Sequence, residues 1–331
     1  MTILLGVDGG STKTHAALVN ESGELLGFGM AGISNQNVVG FKEAMSEVAA
    51  AVHTALESAH LASRDIHLGC FCLAGADFPD DFKKIGAALQ EHQLAGRVLV
   101  KNDTAAGLRS GLTRSWGVVV VCGTGFNAAG RSRDGREIGL PSYGPLTGDW
   151  GGGGSLGVEV LGAVMRAWDG RGQPTLLARL VLEDLHLATE DDILQAIYHR
   201  SMTRSQIVGF TPLLFQAAEA GDAVARELVI RMGSEVGVTA NAFLKRLDLV
   251  DTDAEVVLSG SVFKGKGPLL IDTARQVVHA VSPQAQIVRP LLEPVAGAAL
   301  LALEFAGLEA TPETHRRMQA APQLAIASRG G

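Results

Sequence analysis

Cysteine is scarce in this chain of 331 residues: there are three, too few for a disulfide framework. Cys70 and Cys72 stand two apart in one apolar run and Cys122 closes another, which is spacing for buried strand positions rather than a metal knuckle. The nine histidines show no HExxH or other ligand spacing, so none is assigned to a metal. No apolar run approaches the ~18 residues of a membrane span. The N-terminus lacks a basic leader and a small-residue cleavage site, so a cytoplasmic chain without a signal peptide is expected. A net charge of −7 with scattered Lys and Arg offers no surface for nucleic acid and no polybasic membrane anchor. A Walker A run, GxxxxGKS or GxxxxGKT, occurs nowhere.

Glycine is in excess instead, at 41 residues where ordinary usage would give about 23. The surplus collects at strand ends, where a ligand can approach the backbone. With 47% hydrophobic and 19% charged residues the composition is globular, and the length predicts two domains or two lobes around a cleft.

Periodicity predicts strands at about 2–8, 13–20 and 24–30, then an amphipathic helix at about 41–60 with Phe41, Met45, Val48, Val52 and Leu56 on one stripe. A buried strand from Ile66 to Ala74, a helix near 79–93, the strand "RVLVKND" and a helix opened by "TAAG" complete the order βββαβαβα. That order returns from Gly117, with strands in "GVVVVCGTG" and "FNAAGRS" and a third near 136–140. A helical insertion at about 155–247 precedes the strand "AEVVLSGS", a helix at 265–280, the strand "AQIVRP" and a helix at 294–306. Asp103-Thr104-Ala105-Ala106-Gly107 aligns with Glu293-Pro294-Val295-Ala296-Gly297, and small residues at these places let two crossover helices pack closely. The chain therefore reads as a duplication, with lobes at 1–114 and 115–310 and a tail at 311–331 expected to return to the first lobe or stay disordered.

The stretch "LLGVDGGSTKTHAALV" carries an acid, two glycines and three hydroxyl residues between two strands. A hairpin turn explains it. So does a phosphate cradle of backbone N–H groups and hydroxyls with Asp8 beside it for a metal ion. "DGGST" and "CGTGFN" fall at equivalent places in the two halves, so both turns would face one cleft, as a clamp on a polyphosphate would require. Two GxGxxG matches, Gly27–Gly32 and Gly152–Gly157, lack the βαβ setting of a dinucleotide site; the second opens a helix and suits either an anion or a mobile lid.

In this order "DGGSTKT", "NDTAAG", "CGTGFN", "LSGSV" and "EPVAGAAL" resemble the five elements of the acetate kinase, sugar kinase, Hsp70 and actin superfamily. More narrowly, "AGISNQNVVG", "LAGADFPDD" and "GPLTGDWGGGGSLG" resemble the N-acetylglucosamine kinase branch of the BadF/BadG/BcrA/BcrD ATPase family, over about residues 3–306. The resemblance implies an α/β fold of two duplicated ribonuclease H-like (actin-like ATPase) lobes around a nucleotide cleft. It also implies ATP-dependent phosphorylation of the 6-hydroxyl of an amino sugar such as N-acetylglucosamine, with ATP and Mg2+ as cofactors, in an enzyme expected to be a homodimer.

Phosphoryl transfer needs positioning, charge neutralisation and a base for the attacking hydroxyl. Asp103, at a strand end before a helix, is the expected general base; the competing role is a helix N-cap, which Asn102 or Thr104 could fill instead. Asp8 suits Mg2+ through bound water. Gly9, Gly10, Ser11, Thr12 and Lys13 form the first phosphate turn, with Thr12 and Lys13 favoured by resemblance; Gly123, Thr124 and Gly125 form the second. By resemblance Gly260 and Ser261 belong to the adenosine site, and Asn35, Gly75, Asp77, Asp103, Asn127 and Asp149 to the sugar site. Two departures from the family pattern, Ser142-Tyr143-Gly144 and the Trp150 in Gly148-Asp149-Trp150-Gly151, fall in the implied sugar site. Two other readings stay open: an ATPase that activates 2-hydroxyacyl-CoA dehydratases, which needs exposed cluster cysteines, and a nucleotide-dependent sugar sensor without phosphotransfer.

Overall fold

A computed structural model describes residues 1–265 and 267–326. The first half contains β1 (Ile3–Gly9), β2 (Thr14–Asn20), β3 (Leu25–Ala31), a single turn α1 (Gln36–Val39), α2 (Phe41–Ala59), β4 (Ile66–Leu73), α3 (Pro79–Glu91), β5 (Val98–Asn102) and α4 (Asp103–Gly111). The second half holds β6 (Gly117–Cys122), β7 (Phe126–Arg131) and β8 (Glu137–Gly139). Five helices follow: α5 (Gly152–Trp168), α6 (Leu176–Leu185), α7 (Glu190–Tyr198), α8 (Arg204–Glu219) and α9 (Ala223–Arg246). The chain then forms β9 (Glu255–Ser259), α10 (Leu269–His279), β10 (Gln286–Val288), α11 (Pro294–Phe305) and α12 (Pro312–Ala320).

The two sheets share one topology. The first runs β3-β2-β1-β4-β5 and the second, in the matching sense, β8-β7-β6-β9-β10. β1 pairs antiparallel with β2 and parallel with β4, so the hairpin comes first and the crossover strands follow. The duplication read from spacing is thus present in the strand order.

The chain divides into two compact units, Met1–Val119 with the described chain from Val288 onward, and Val120–Ile287. These limits differ from the expected 1–114 and 115–310, because the last helix of the second half packs on the first sheet. In the first unit Ile3, Leu5 and Val7 face α2 and α3, while Leu4, Val19 and Cys70 face α11 and α12. Both faces being buried explains why β1 and β4 read as continuous apolar runs. A Cβ on Gly297 of α11 would lie 2.0 Å from the carbonyl oxygen of Ala106 in α4, so this helix pair has no room for a larger residue.

The tail packs on the same unit. Met318 and Leu324 are fully buried, the Glu293 N–H donates to the Leu324 carbonyl at 2.7 Å, and Leu292 bridges to Ala325. Arg109, itself buried, donates to Glu304 at 2.7 Å and meets Nε2 of His315 on α12 at 3.2 Å. The end of the expected tail, 327–331, and Lys266 within the expected helix 265–280 lie outside the described residues.

In the second unit α9 packs on α10 and β7, and α5 packs on α8. Among the described residues no helix is long and apolar enough to cross a membrane.

Candidate active site

The opening stretch is both a hairpin and an exposed polar turn. Asp8 pairs with His15 and Gly9 with Thr14, and the Gly10 N–H donates to the Lys13 carbonyl at 3.0 Å. Neither Gly9 nor Gly10 has a positive φ. Gly9 is needed for close approach instead, since a Cβ there would stand 2.2 Å from Oγ of Ser34. Ser11, Thr12 and Lys13 are exposed, as groups meant for a ligand would be.

Asp8 lies at the end of β1, and its carboxyl is pushed up to about 7. Loss of water is the main cause; the negative charge of Asp103 adds to it, Lys13 opposes it and Glu293 adds further. Like charges gathered around a carboxylate make a place where a cation is favoured. Among the described residues no three side chains of ligand type are grouped to cage a metal. Asp8 therefore fits an ion such as Mg2+, which keeps most of its water and takes one or two carboxylates with substrate phosphates.

Asn102, not Asp103, caps α4: its Oδ1 accepts from the Thr104 N–H at 3.0 Å and from the Thr104 hydroxyl at 2.5 Å. Asp103 is the first helical residue, and its carboxylate also meets the N–H groups of Thr104 and of Asp103 itself. Burial, then the neighbouring Asp77, push the Asp103 carboxyl up to about 6, while the N–H groups of Thr104 and Asp103 oppose the rise. Asp77 is raised by burial and by Asp81, against the pull of Asn102, whose Nδ2 donates to it at 2.9 Å. A general base works best with a pKa near the working pH, and the Asp103 carboxyl is shifted in that direction.

The residues of this unit expected at the sugar site each have hydrogen-bonded neighbours. Asn35 Oδ1 accepts from the Asn37 N–H at 2.9 Å, and its Nδ2 donates to Oγ of Ser11 at 2.8 Å. Gln36 Nε2 donates to the Gly75 carbonyl at 2.5 Å. Gly75 has φ 85°, and a Cβ on it would come within 3.0 Å of Asn35 Oδ1. Gln36 thus holds the Gly75 carbonyl, and Asn102 ties Asp77 to the first turn of α4, next to Asp103.

The other predicted residues belong to the second unit. Asn127 in β7 accepts through Oδ1 from the Ala128 N–H at 2.8 Å. Asp149 is buried and accepts the Thr147 hydroxyl on Oδ2. The 123–125 turn holds itself, the Gly123 N–H donating to the Gly125 carbonyl at 3.1 Å, so this amide already has a partner. Gly123 and Gly125 have open space where a Cβ would stand. The N–H groups of Gly153 and Gly154 donate to the carbonyls of Gly123 and Thr124 at 2.8 and 2.9 Å. Gly152, at φ 72°, leaves only 2.3 Å between a would-be Cβ and the Gly125 carbonyl oxygen. The glycine run expected to bind an anion or form a lid is a packing seat: two of the helix-end donors that an anion would need are taken.

A pocket of about 750 Å³ opens beside this turn, lined by Gly123, Gly153 and Ser261 on one side and by Val208, Gly209 and Phe215 of α8 on the other. Gly260, at φ 108°, brings the end of β9 against β6, where a Cβ would be 2.3 Å from the Cys122 carbonyl oxygen. The volume is in the ordinary range for small-molecule sites. The α8 wall was missed in the sequence; Gly209 and Pro212 inside a helix were its available signal.

Trp150 has partners of its own in this unit. Its Nε1 donates to Glu159 Oε1 at 3.0 Å and the Arg231 guanidinium lies 3.9 Å from its ring centre, pinning it between α5 and α9. Tyr143 remains about half exposed.

These features define a class of nucleotide-binding α/β proteins with two like halves. The sequence model of the BadF/BadG/BcrA/BcrD ATPase family matches residues 5–302, and the chain belongs to that family. It is 28% identical over 312 residues to the N-acetyl-D-glucosamine kinase of Dictyostelium discoideum, covering 91% of this chain and 98% of the relative. It is 25% identical to the N-acetylmuramic acid/N-acetylglucosamine kinase of Clostridium acetobutylicum, with coverage of 91% and 98%. A solved structure from Chromobacterium violaceum, provisionally assigned as an N-acetylglucosamine kinase, shares the fold with TM-score 0.68 at 24% identity, over 91% of this chain and 99% of that one. The fold is the duplicated α/β fold of actin-like ATPases expected from the sequence.

Proposed function

We propose that this chain transfers the γ-phosphoryl group of ATP to the 6-hydroxyl of an amino sugar, N-acetylglucosamine or a close relative. The observation that carries the proposal is Asp103: Asn102, the residue before it, is the N-cap of α4, and burial beside Asp77 raises the Asp103 carboxyl to about 6. The names of the relatives support the same substrate class. In this reading Asp103 accepts the hydroxyl proton, the sugar oxygen forms a bond to the γ-phosphorus, and the bond from that phosphorus to the bridging oxygen breaks as ADP leaves. Asn35, Gly75 and Asp77 of the first unit would orient sugar hydroxyls, and Asn127 and Asp149 of the second are sugar-site residues by resemblance. Such groups punish a mismatched hydroxyl heavily. Thr12 and Lys13 would hold phosphate oxygens, with the 123–125 turn as a second phosphate site and the pocket beside Gly260 and Ser261 as the adenosine site. Mg2+ held by Asp8 through water would supply charge neutralisation on the phosphates.

The dehydratase-activator reading does not fit, because Cys70, Cys72 and Cys122 are all fully buried. ADP release measured over hexoses, glucosamine, N-acetylglucosamine and N-acetylmuramic acid tests the proposal. An amino sugar should raise turnover well above basal hydrolysis. If no sugar does so, the kinase reading fails, and sugar binding without turnover would favour the sensor.

A further inference from the structure

The turn that carries Ser11 and the loop that carries Asn35 are tied together at three places. The Ser34 N–H donates to the Gly10 carbonyl at 3.1 Å, the Ser34 side chain packs against Gly9 with no space for a Cβ between them, and Asn35 Nδ2 donates to Ser11 Oγ at 2.8 Å. The third contact differs from the others in chemistry, because both partners are also groups that a substrate would use. An Asn amide offers two N–H donors, so the bond to Ser11 leaves a second for a sugar hydroxyl. A Ser hydroxyl that accepts one bond still donates its own proton, here available to a phosphate oxygen.

We infer that Ser11 is a positioning residue for the sugar, acting through Asn35, and that its hydroxyl relays the occupancy of the phosphate turn to the sugar loop. The inference rests on the kinase reading and adds to it a residue on the phosphate turn whose loss is felt at the acceptor. Asn35 has its Oδ1 fixed by the Asn37 N–H, so the Ser11 bond is the second point that sets the plane of the amide. Without it the amide can turn about χ2, and the donor no longer stands where a sugar oxygen needs it. With phosphate bound, the chain of donors runs from Asn35 through Ser11 to the phosphate oxygen, and hydrogen bonds in such a chain strengthen one another. Nucleotide should therefore tighten sugar binding, and sugar should tighten nucleotide binding by the same factor.

The test is calorimetric titration of N-acetylglucosamine and of a non-hydrolysable ATP analogue into the full chain, each alone and in the presence of the other. Loss of the hydroxyl in Ser11→Ala removes the bond to Asn35 and the one to the phosphate oxygen, so it should weaken sugar and analogue, each titrated alone, by about 3- to 10-fold. The factor by which the analogue tightens the sugar should shrink toward one, and Ser11→Thr, which keeps the hydroxyl, should restore both values. Equal sugar affinity in wild type and Ser11→Ala overturns the inference alone, as does a Ser11→Ala variant that loses the analogue but keeps the sugar. A wild-type chain that binds none of the sugar panel overturns the kinase reading, and this inference with it.

Discussion

Replacing Asp103 by Asn should remove activity and add stability, and the two effects have one cause. The folded protein holds the Asp103 carboxyl at about 6 because burial and Asp77 disfavour its charge. The unfolded chain holds it near the ordinary Asp value of about 3.9. A folded pKa above the unfolded one means that the folded state binds the proton more tightly, so stability is lost as pH rises from about 4 to about 6 and stays lost above. The gap of about two pH units corresponds to at most about 3 kcal/mol at ~1.4 kcal/mol each. Asn fills the same space without charge and keeps a carbonyl oxygen for the helix N–H groups, so Asp103→Asn should recover about 2 kcal/mol at pH 7.5, and near pH 4 the gain should vanish. Asp103 also raises Asp8, so the substitution eases that carboxyl as well. A lost general base should lower kcat by about 10²–10⁴-fold. Denaturant melts at the two pH values, run beside the sugar-dependent ADP-release assay, measure both arms. A variant within tenfold of wild-type turnover, or one less stable than wild type at pH 7.5, would refute the reasoning.

The remaining expectations concern separate parts of the molecule. Because the base must be ionised, kcat/KM for the sugar should fall as pH drops through about 6, and a profile flat down to pH 5 would speak against Asp103. Gly297→Val should unfold the chain or cost over about 3 kcal/mol in melts, since its Cβ would meet a backbone oxygen 2.0 Å away. Gly86→Ala in α3, where the nearest contact is Val100 at 3.9 Å, should stabilise by about 0.5–1 kcal/mol. Trp150→Ala should lose about 2 kcal/mol of stability through the Glu159 and Arg231 contacts while leaving sugar affinity within about twofold. A large loss of sugar affinity with unchanged stability would return Trp150 to the sugar site.

The strands were legible because each carries its own evidence. β1, β4, β6 and β9 are short apolar runs ended by Gly or an acid, and α2 shows its buried stripe in its spacing. The Ala-Gly pairs of α4 and α11 also pointed to their close packing. What stayed hidden depends on neighbours distant in sequence. Nothing local to α11 says that it leaves its own half to pack on β1 and α4. Val208 and Phe215 look like any apolar face until α8 is set beside the 123–125 turn. Resemblance alone put Trp150 in the sugar site, and its contacts with Glu159 and Arg231 were hidden because those partners come from two later helices. Asn35 and Ser11 were both legible as polar loop residues, but the bond between them exists only once the hairpin folds back on the next loop.

The most direct measurement is product analysis after incubation with Mg2+-ATP and N-acetylglucosamine, using phosphorus NMR and mass spectrometry. The account predicts a sugar monophosphate esterified at the 6-oxygen, formed in equal amount with ADP and absent in Asp103→Asn. Inorganic phosphate with unmodified sugar, or a phosphorylated sugar still made by Asp103→Asn at the wild-type rate, would contradict it.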